Sequence, residues 1–148
     1  MIDENEPIVI EYNCRMGDPE TEVVIPRLKN DLAELLKATA DQRLNEIVVD
    51  TDERTAVAVV AVSGGYPGDY EKGKIIEGLD MPGSDDSIVF HSGTVQQESA
   101  VVTNGGRVLV VTSFGNTIKE ASSKSRGLLK KIYFEGINFR QDIGYEFV

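Results

Sequence analysis

The sequence predicts an α/β (α+β) chain: a strand and helices first, then a small, largely antiparallel sheet flanked by one long helix. Three observations predict it. Thr55 to Val62 is nearly all apolar, as for a strand covered on both faces. Further strand-like runs follow, separated by glycine-rich turns. Then Ile118, Ala121, Ser125, Leu128, Leu129 and Ile132 recur at helical spacing.

In chain order, Met1 to Glu6 is polar and acidic and reads as an edge, not as a folded beginning. Pro7 to Asn13 reads as a strand entered after a proline, with Ile8, Ile10 and Tyr12 on one face and Val9, Glu11 and Asn13 on the other. Asp18 suits a helix N-cap, with Pro19 at the first helical position and an acidic first turn. Pro26 breaks or kinks that segment. A second helix follows with Leu28, Leu32, Leu35, Leu36 and Thr39 on one face, fading near Asp41 to Asn45. The acidic, turn-rich Asp50 to Glu53 marks a boundary between a first unit, residues 1–50, and a second, 51–148. Beyond Thr55–Val62, Ser63-Gly64-Gly65-Tyr66-Pro67-Gly68 is a loop and Lys74 to Glu77 a short strand. Ser87 to Gln96 and Ser99 to Thr103 are strands, and Asn104-Gly105-Gly106 predicts a hairpin to a partner strand at Arg107 to Phe114. A helix starts at Asn116 or Thr117, and the tail from Phe134 docks as short extended pieces.

Composition bounds the function. The chain has 148 residues, 41% hydrophobic and 27% charged, which is globular composition for one domain or the end of a larger one. The net charge of −10 argues against nucleic acid and against an anionic membrane surface as partners. The acids concentrate early, with 12 against 5 bases in residues 1–50, whereas residues 101–148 hold 7 bases against 4 acids. Lys119, Lys124, Arg126, Lys130 and Lys131 on the last helix read as a solvated face, or as a phosphate-binding one. No apolar run approaches a membrane span, and the N-terminus does not read as a signal peptide. A lone cysteine, Cys14, fits a reducing cytoplasm, and one His with one Cys excludes the usual structural zinc site.

The residues most suited to chemistry are Glu11-x-Asn13-x-Arg15. On a strand these share one side, spaced about 7 Å apart. Glu11 and Asn13 offer hard oxygen ligands for Mg²⁺, and the Arg15 fork suits a phosphoryl or acyl-phosphate oxygen. The plainer reading is an edge strand with polar residues facing water. Gly17-Asp18-Pro19-Glu20 then turns into a helix N-terminus, an anion site that Asp18 and Glu20 would oppose. Those two fit contacts to an amine or hydroxyls, or simple caps. Cys14 is placed on the core-facing side as a small buried hydrophobe. Ser63 to Gly68 lacks the Lys-Ser/Thr of a P-loop and reads as a wide turn, or as backbone approaching a nucleotide or ribose phosphate. His91, the only histidine, is a hydrogen-bonded structural residue or a donor at a site. Lys72 and Lys74 are a solvated pair or phosphate contacts. Tyr66, Tyr70, Phe90 and Phe114 read as anchors.

Glu11-Tyr12-Asn13-Cys14-Arg15-Met16-Gly17-Asp18-Pro19-Glu20-Thr21 closely resembles the metal-binding strand and turn of the phosphoribosylamine–glycine ligase family (glycinamide ribonucleotide synthetases), which has the ATP-grasp fold. Pro26-Arg27-Leu28, Ser63 to Gly73, Phe90-His91-Ser92-Gly93-Thr94, Gly105 to Leu109 and Arg140-Gln141-Asp142-Ile143-Gly144 extend the resemblance across nearly the whole chain. It implies that residues 1–50 are the C-terminal part of an ATP-grasp domain and 51–148 the ligase's C-terminal domain. It implies a reaction in which the glycine carboxylate takes the γ-phosphate of ATP to form glycyl phosphate. The amine of 5-phosphoribosylamine then attacks, giving glycinamide ribonucleotide, ADP and phosphate in purine biosynthesis. Glu11 and Asn13 would be Mg²⁺ or Mn²⁺ ligands, and Arg15 would stabilise the acyl phosphate. The resemblance also implies a missing N-terminal part of the same enzyme, and no ligase activity for this chain alone. The competing expectation is a non-catalytic binding or interaction module that reuses the same C-terminal fold.

Overall fold

The computed structural model describes residues 2–3, 6–80 and 85–147. Its core is a three-stranded antiparallel sheet. Strand β3 (Thr55–Val62) and strand β4 (Ser87–His91) both pair with strand β7 (Arg107–Gly115), which lies between them. Strands β5 (Thr94–Gln97) and β6 (Ala100–Thr103) form a separate antiparallel hairpin.

Alternation decides which face goes where. Val57, Val59 and Ala61 of β3 lie opposite Ser113, Val111 and Leu109 of β7. This face packs under helix α3 (Ile118–Leu129) through Ala121, Leu128 and Leu129, joined by Ile132 and Phe134. Ser125 is fully buried in that interface and donates its hydroxyl to the Val57 carbonyl at 2.8 Å. Thr117 caps the helix by accepting from the Glu120 N–H at 3.1 Å, and Glu120 returns a bond to the Asn116 N–H at 2.8 Å. The opposite face of β7 carries Thr112, which donates to the Glu22 carbonyl at 2.8 Å. Glu22 lies on the short helix α1 (Thr21–Val24). Thus α1 is tied to the sheet.

As expected, Pro26 ends α1: the chain tightens into a 3₁₀ turn at Ile25–Arg27 and leaves as extended backbone at Leu28. Helix α2 (Leu32–Ala40) starts later than its apolar pattern suggests, because Asp31 accepts from the Ala33 and Glu34 N–H groups at 2.7 and 3.3 Å. Leu28 therefore lies outside it. Only Leu35 and Ala38 are buried, and Leu36 is 62% exposed.

Several expectations are corrected. Ile2–Asp3 (β1) pairs with Glu6–Pro7 (β2), so the beginning carries a short ladder; Met1, Glu4 and Asn5 lie outside the described residues. Residues 8–13 form no strand: the pairing of β1 with β2 stops at Pro7, and no ladder among the described residues continues it. Asp18 does not cap α1: Glu20 holds the N-cap position, and the Gly17 carbonyl takes the Thr21 N–H and hydroxyl at 3.0 and 2.7 Å. Lys74–Glu77 makes isolated bridges, Ile75 with Val102 and Glu77 with Tyr133, and no continuous strand. The expected strand Ser87–Gln96 breaks at Ser92-Gly93. The Asn104-Gly105-Gly106 turn does not join a hairpin: β6 pairs with β5, and β7 crosses to β3 and β4. The cause is a close crossing of two backbones. The Gly93 N–H donates to Arg107 O at 2.9 Å and the Asn104 N–H to Gly93 O at 2.7 Å. A Cβ at Gly93 would stand 2.5 Å from Arg107 O and 2.7 Å from Gly105 Cα.

A charged network pins the lower edge. Arg54 reaches both Asp52 oxygens, the nearer at 2.7 Å, and Asp86 at 2.6 Å, while its guanidinium lies 4.8 Å from the Phe114 ring centroid. Lys124 of α3 meets Asp86 and Glu120, each at 3.0 Å. Part of the basic helix face is thus committed to internal ion pairs. Arg27 donates twice to Asp52 O, at 3.0 and 2.9 Å, binding the end of α1 to the start of β3.

Two predictions follow from this packing. Gly93→Ala should lower unfolding free energy by about 1–3 kcal/mol, because backbone must shift. Gly127→Ala, with open space around its Cβ on α3, should raise it by roughly 0.5–1 kcal/mol. Urea unfolding of both variants checks the opposite signs. The second prediction concerns acid. Hydrogen bonds from Arg54 hold the Asp52 carboxyl down at about 2. In an unfolded chain that group titrates near pH ~3.9. The unfolded state therefore binds more protons between those values. The stabilisation is complete above pH ~4 and is lost as pH falls through about 2. The stability gap between wild type and Asp52→Asn should narrow over that window in a series of urea unfolding curves.

Candidate functional site

The segment bearing Glu11, Asn13 and Arg15 is an exposed arm leading into the Gly17 turn. Its alternating apolar residues are uncovered, with Ile8 at 45%, Ile10 at 68% and Tyr12 at 87% exposure. Glu11 and Asn13 make no hydrogen bond or ion pair among the described residues. Among the described residues the Arg15 guanidinium donates only to the neighbouring Met16 carbonyl, at 3.1 Å. Cys14 is exposed, which corrects its placement in a core, since no core adjoins this arm. Among the described residues there is no group of three or more His, Cys, Asp or Glu side chains placed to hold a metal ion. Glu11 and Asn13 fit a hard divalent cation by donor chemistry, as two oxygen ligands of a larger set.

The turn after the arm sends its two acids to different depressions. Glu20 folds back over Gly17 and borders an apolar groove formed with Val23, Val24, Ala56, Ile118 and Phe147. Asp18 enters a polar cleft of about 580 Å³ between α1, the Ser63–Gly68 loop, the end of β4 with the Ser92-Gly93 turn, and the start of β7. There Arg107, the first residue of β7, binds the Asp18 carboxylate at 3.3 Å and the Asp18 carbonyl at 3.3 Å. Tyr66 and Tyr70 form one wall, their rings tilted 58° with centroids 6.3 Å apart. The Tyr66 ring occupies the space a Cβ on Gly106 would need, so that glycine is required for the wall. His91 and Glu22 complete the cleft. His91 Nδ1 shares a 3.0 Å hydrogen bond with the Thr94 hydroxyl. Glu22 Oε2 is shielded from solvent yet has no hydrogen-bond partner among the described residues.

Of the expected site residues, then, Asp18 meets the cleft, Glu20 the groove, and Glu11, Asn13 and Arg15 stand apart on the arm. The sequence reading did not single out Glu22 or Arg107, and it took Tyr66 and Tyr70 as anchors. The usable signal was the four glycines Gly64, Gly65, Gly105 and Gly106, which let two loops approach beside polar and aromatic residues. Lys74 is engaged with Glu71 and Glu135 at 2.7 and 3.0 Å. No helix among the described residues is long and apolar enough to cross a membrane.

Comparison with known proteins bears on this architecture. The family model "Phosphoribosylglycinamide synthetase, C domain" matches residues 56–146, so the chain belongs to that family. It is 48% identical over 139 residues to the phosphoribosylamine–glycine ligase of Vibrio cholerae, covering 94% of this chain and 32% of that protein. Against the enzyme of the same name from Escherichia coli K12 it is 45% identical over 147 residues, 98% of this chain and 34% of the other. A crystal structure of phosphoribosylamine–glycine ligase from Thermotoga maritima superposes with a TM-score of 0.72 at 35% identity, covering 96% of this chain and 34% of that one. The chain therefore spans about a third of the length of the curated relatives it matches.

If the arm is as open as its exposure indicates, Cys14 should react with a maleimide in the native chain at the rate of an unfolded-chain thiol at the same pH. Strong protection would show that residues 8–15 are covered.

Proposed function

We propose that this chain is the C-terminal portion of an ATP-dependent ligase that joins glycine to 5-phosphoribosylamine through glycyl phosphate. The observation that carries the reading is similarity to ligases of that name over nearly all of these residues, including the arm and turn. Glu11 and Asn13 would hold Mg²⁺ or Mn²⁺, with further oxygens from parts of the ligase beyond this chain. The bound ion supplies charge neutralisation during phosphoryl transfer. Arg15, whose guanidinium among the described residues meets only the Met16 carbonyl, would pair with acyl-phosphate oxygens. Asp18 and Glu20 would contact substrate amine or hydroxyls. Residues 1–50 would complete an ATP-grasp domain and 51–148 form the C-terminal domain, working in the cytoplasm. The arm's uncovered alternating residues support this division, because such a segment gains its ladder and its cover by joining a larger sheet.

In the full-length ligase, Glu11→Ala should cut ligation by roughly two orders of magnitude, the scale for losing one preorganised electrostatic group, with thermal unfolding unchanged. The present 148 residues alone should give no glycine-dependent ADP release. An ADP-release assay with glycine and phosphoribosylamine reads both. Full activity of the variant would remove Glu11 from the metal site.

A further inference from the structure

Strand β3 lies at an edge of the central sheet, with β7 as its ladder partner. Away from β7 its backbone meets the tail at one point: the Val62 N–H donates to the Asn138 carbonyl at 2.8 Å, and the Asn138 N–H returns a bond at 3.1 Å. From Thr55 to Ala61 no backbone group on that side has a backbone partner among the described residues. Beside this open stretch runs the apolar groove, about 450 Å³ in volume. Four consecutive residues, Thr55 to Ala58, line it. Successive side chains of a strand point to opposite faces, so four in a row can line one groove only at the strand's edge. One wall is Val23 and Val24 of α1; the other is Ile118 of α3 with Ile143 and Phe147 of the tail. Val24 is 46% exposed and Phe147 71%. An open edge with apolar cover on both faces is a slot for one more strand. Because both walls are apolar, the strand that fits carries apolar residues on both of its faces. About 13 Å of it, roughly four residues, fills the slot.

Length and charge identify the occupant. The chain covers 32% and 34% of the ligases from Vibrio cholerae and Escherichia coli, so under the ligase reading, on which this identification rests, most of the enzyme lies outside these residues. That outside part covers the arm, and Pro19 and Glu20, at the groove's rim, follow the arm directly. Between Arg15 and Pro19 there is at most about 14 Å of backbone, so whatever covers the arm stands beside the groove. A second copy of this chain is disfavoured, because each copy carries a net charge of −10. We infer that an extended apolar segment of the ligase's upstream part adds to the open edge of β3 and fills this groove. Its backbone bonds the free side of β3, and its side chains pack on Val24 to one side and Phe147 to the other. The added strand locks residues 51–148 to the body of the ligase.

Hydrogen exchange, read by mass spectrometry on peptides covering β3, compares the full-length ligase with the 148-residue chain. In the full-length enzyme the β3 amides that donate nothing to β7 should exchange at least about tenfold more slowly, the scale of one net backbone hydrogen bond. Val24→Lys and Phe147→Lys, one on each wall and both at exposed positions, should leave the shorter chain's unfolding midpoint unchanged and restore fast β3 exchange in the full-length enzyme. Either variant decides the matter if the other fails to fold. Equal exchange in the two wild-type proteins, or protection that survives both substitutions, would overturn the inference. So would a 148-residue chain that sediments as a dimer with β3 already protected, since a second copy would then occupy the slot. Glycine-dependent ADP release separates this inference from the reading beneath it. A full-length enzyme that ligates with β3 unprotected sinks the added strand alone. A protected β3 in a longer protein that ligates nothing sinks the ligase reading alone.

Discussion

Strand β7 has water on neither face, and the rest of the structure follows from that. From Val108 to Gly115 every residue is buried. A strand this apolar needs a layer on each side and a neighbour on each edge. Helix α3 supplies one layer, α1 contributes to the other, and β3 and β4 take the two edges. The polar residues admitted to this core are satisfied locally: Ser125 by Val57, Thr112 by Glu22, and Ser113 by Ser87 at 2.8 Å.

Because β7 is central, its first residue becomes a fixed point at the surface. Arg107 emerges where β7 begins, beside the crossing of Gly93 and Gly105. There it holds the turn that carries Asp18. The same turn directs Glu20 away toward an apolar groove. Two acids of one turn thus serve two surfaces, and a rigid strand end organises a polar cleft that α1 and the end of β4 also line. At the opposite end of the sheet, Arg54, Asp86 and Lys124 join β3, the approach to β4 and α3. They are partly exposed, so their worth lies in registering three elements rather than in strength of any single pair.

The arm shows why a motif and its geometry are separate matters. Glu11, Asn13 and Arg15 are legible as a same-side set only if the backbone is a strand, and a strand exists only where another edge completes its hydrogen bonds. Among the described residues the pairing of β1 with β2 covers two positions, and the ladder does not continue through residues 8–13. Chemistry-bearing residue types can be read from sequence; the sheet that aims them is a long-range property.

Local signals were the most legible. The apolar run of β3, the Thr117 cap and periodic face of α3, and the stop at Pro26 each depend on residues a few positions apart, so the sequence by itself determined them. The Asn104-Gly105-Gly106 turn was misread because its local preference favours a hairpin, whereas β7 gains more by pairing with β3 and β4 over its whole length. Glu22 was invisible in sequence, because nothing in Thr21-Glu22-Val23 says that it will line one cleft with a histidine and an arginine from strand ends and two tyrosines from a distant part of the chain. Tertiary structure alone decided which strand is central and which acid is left without a donor, since both depend on contacts between residues some 40 to 90 positions apart, as in Ser63 with Gly105 and Asp18 with Arg107.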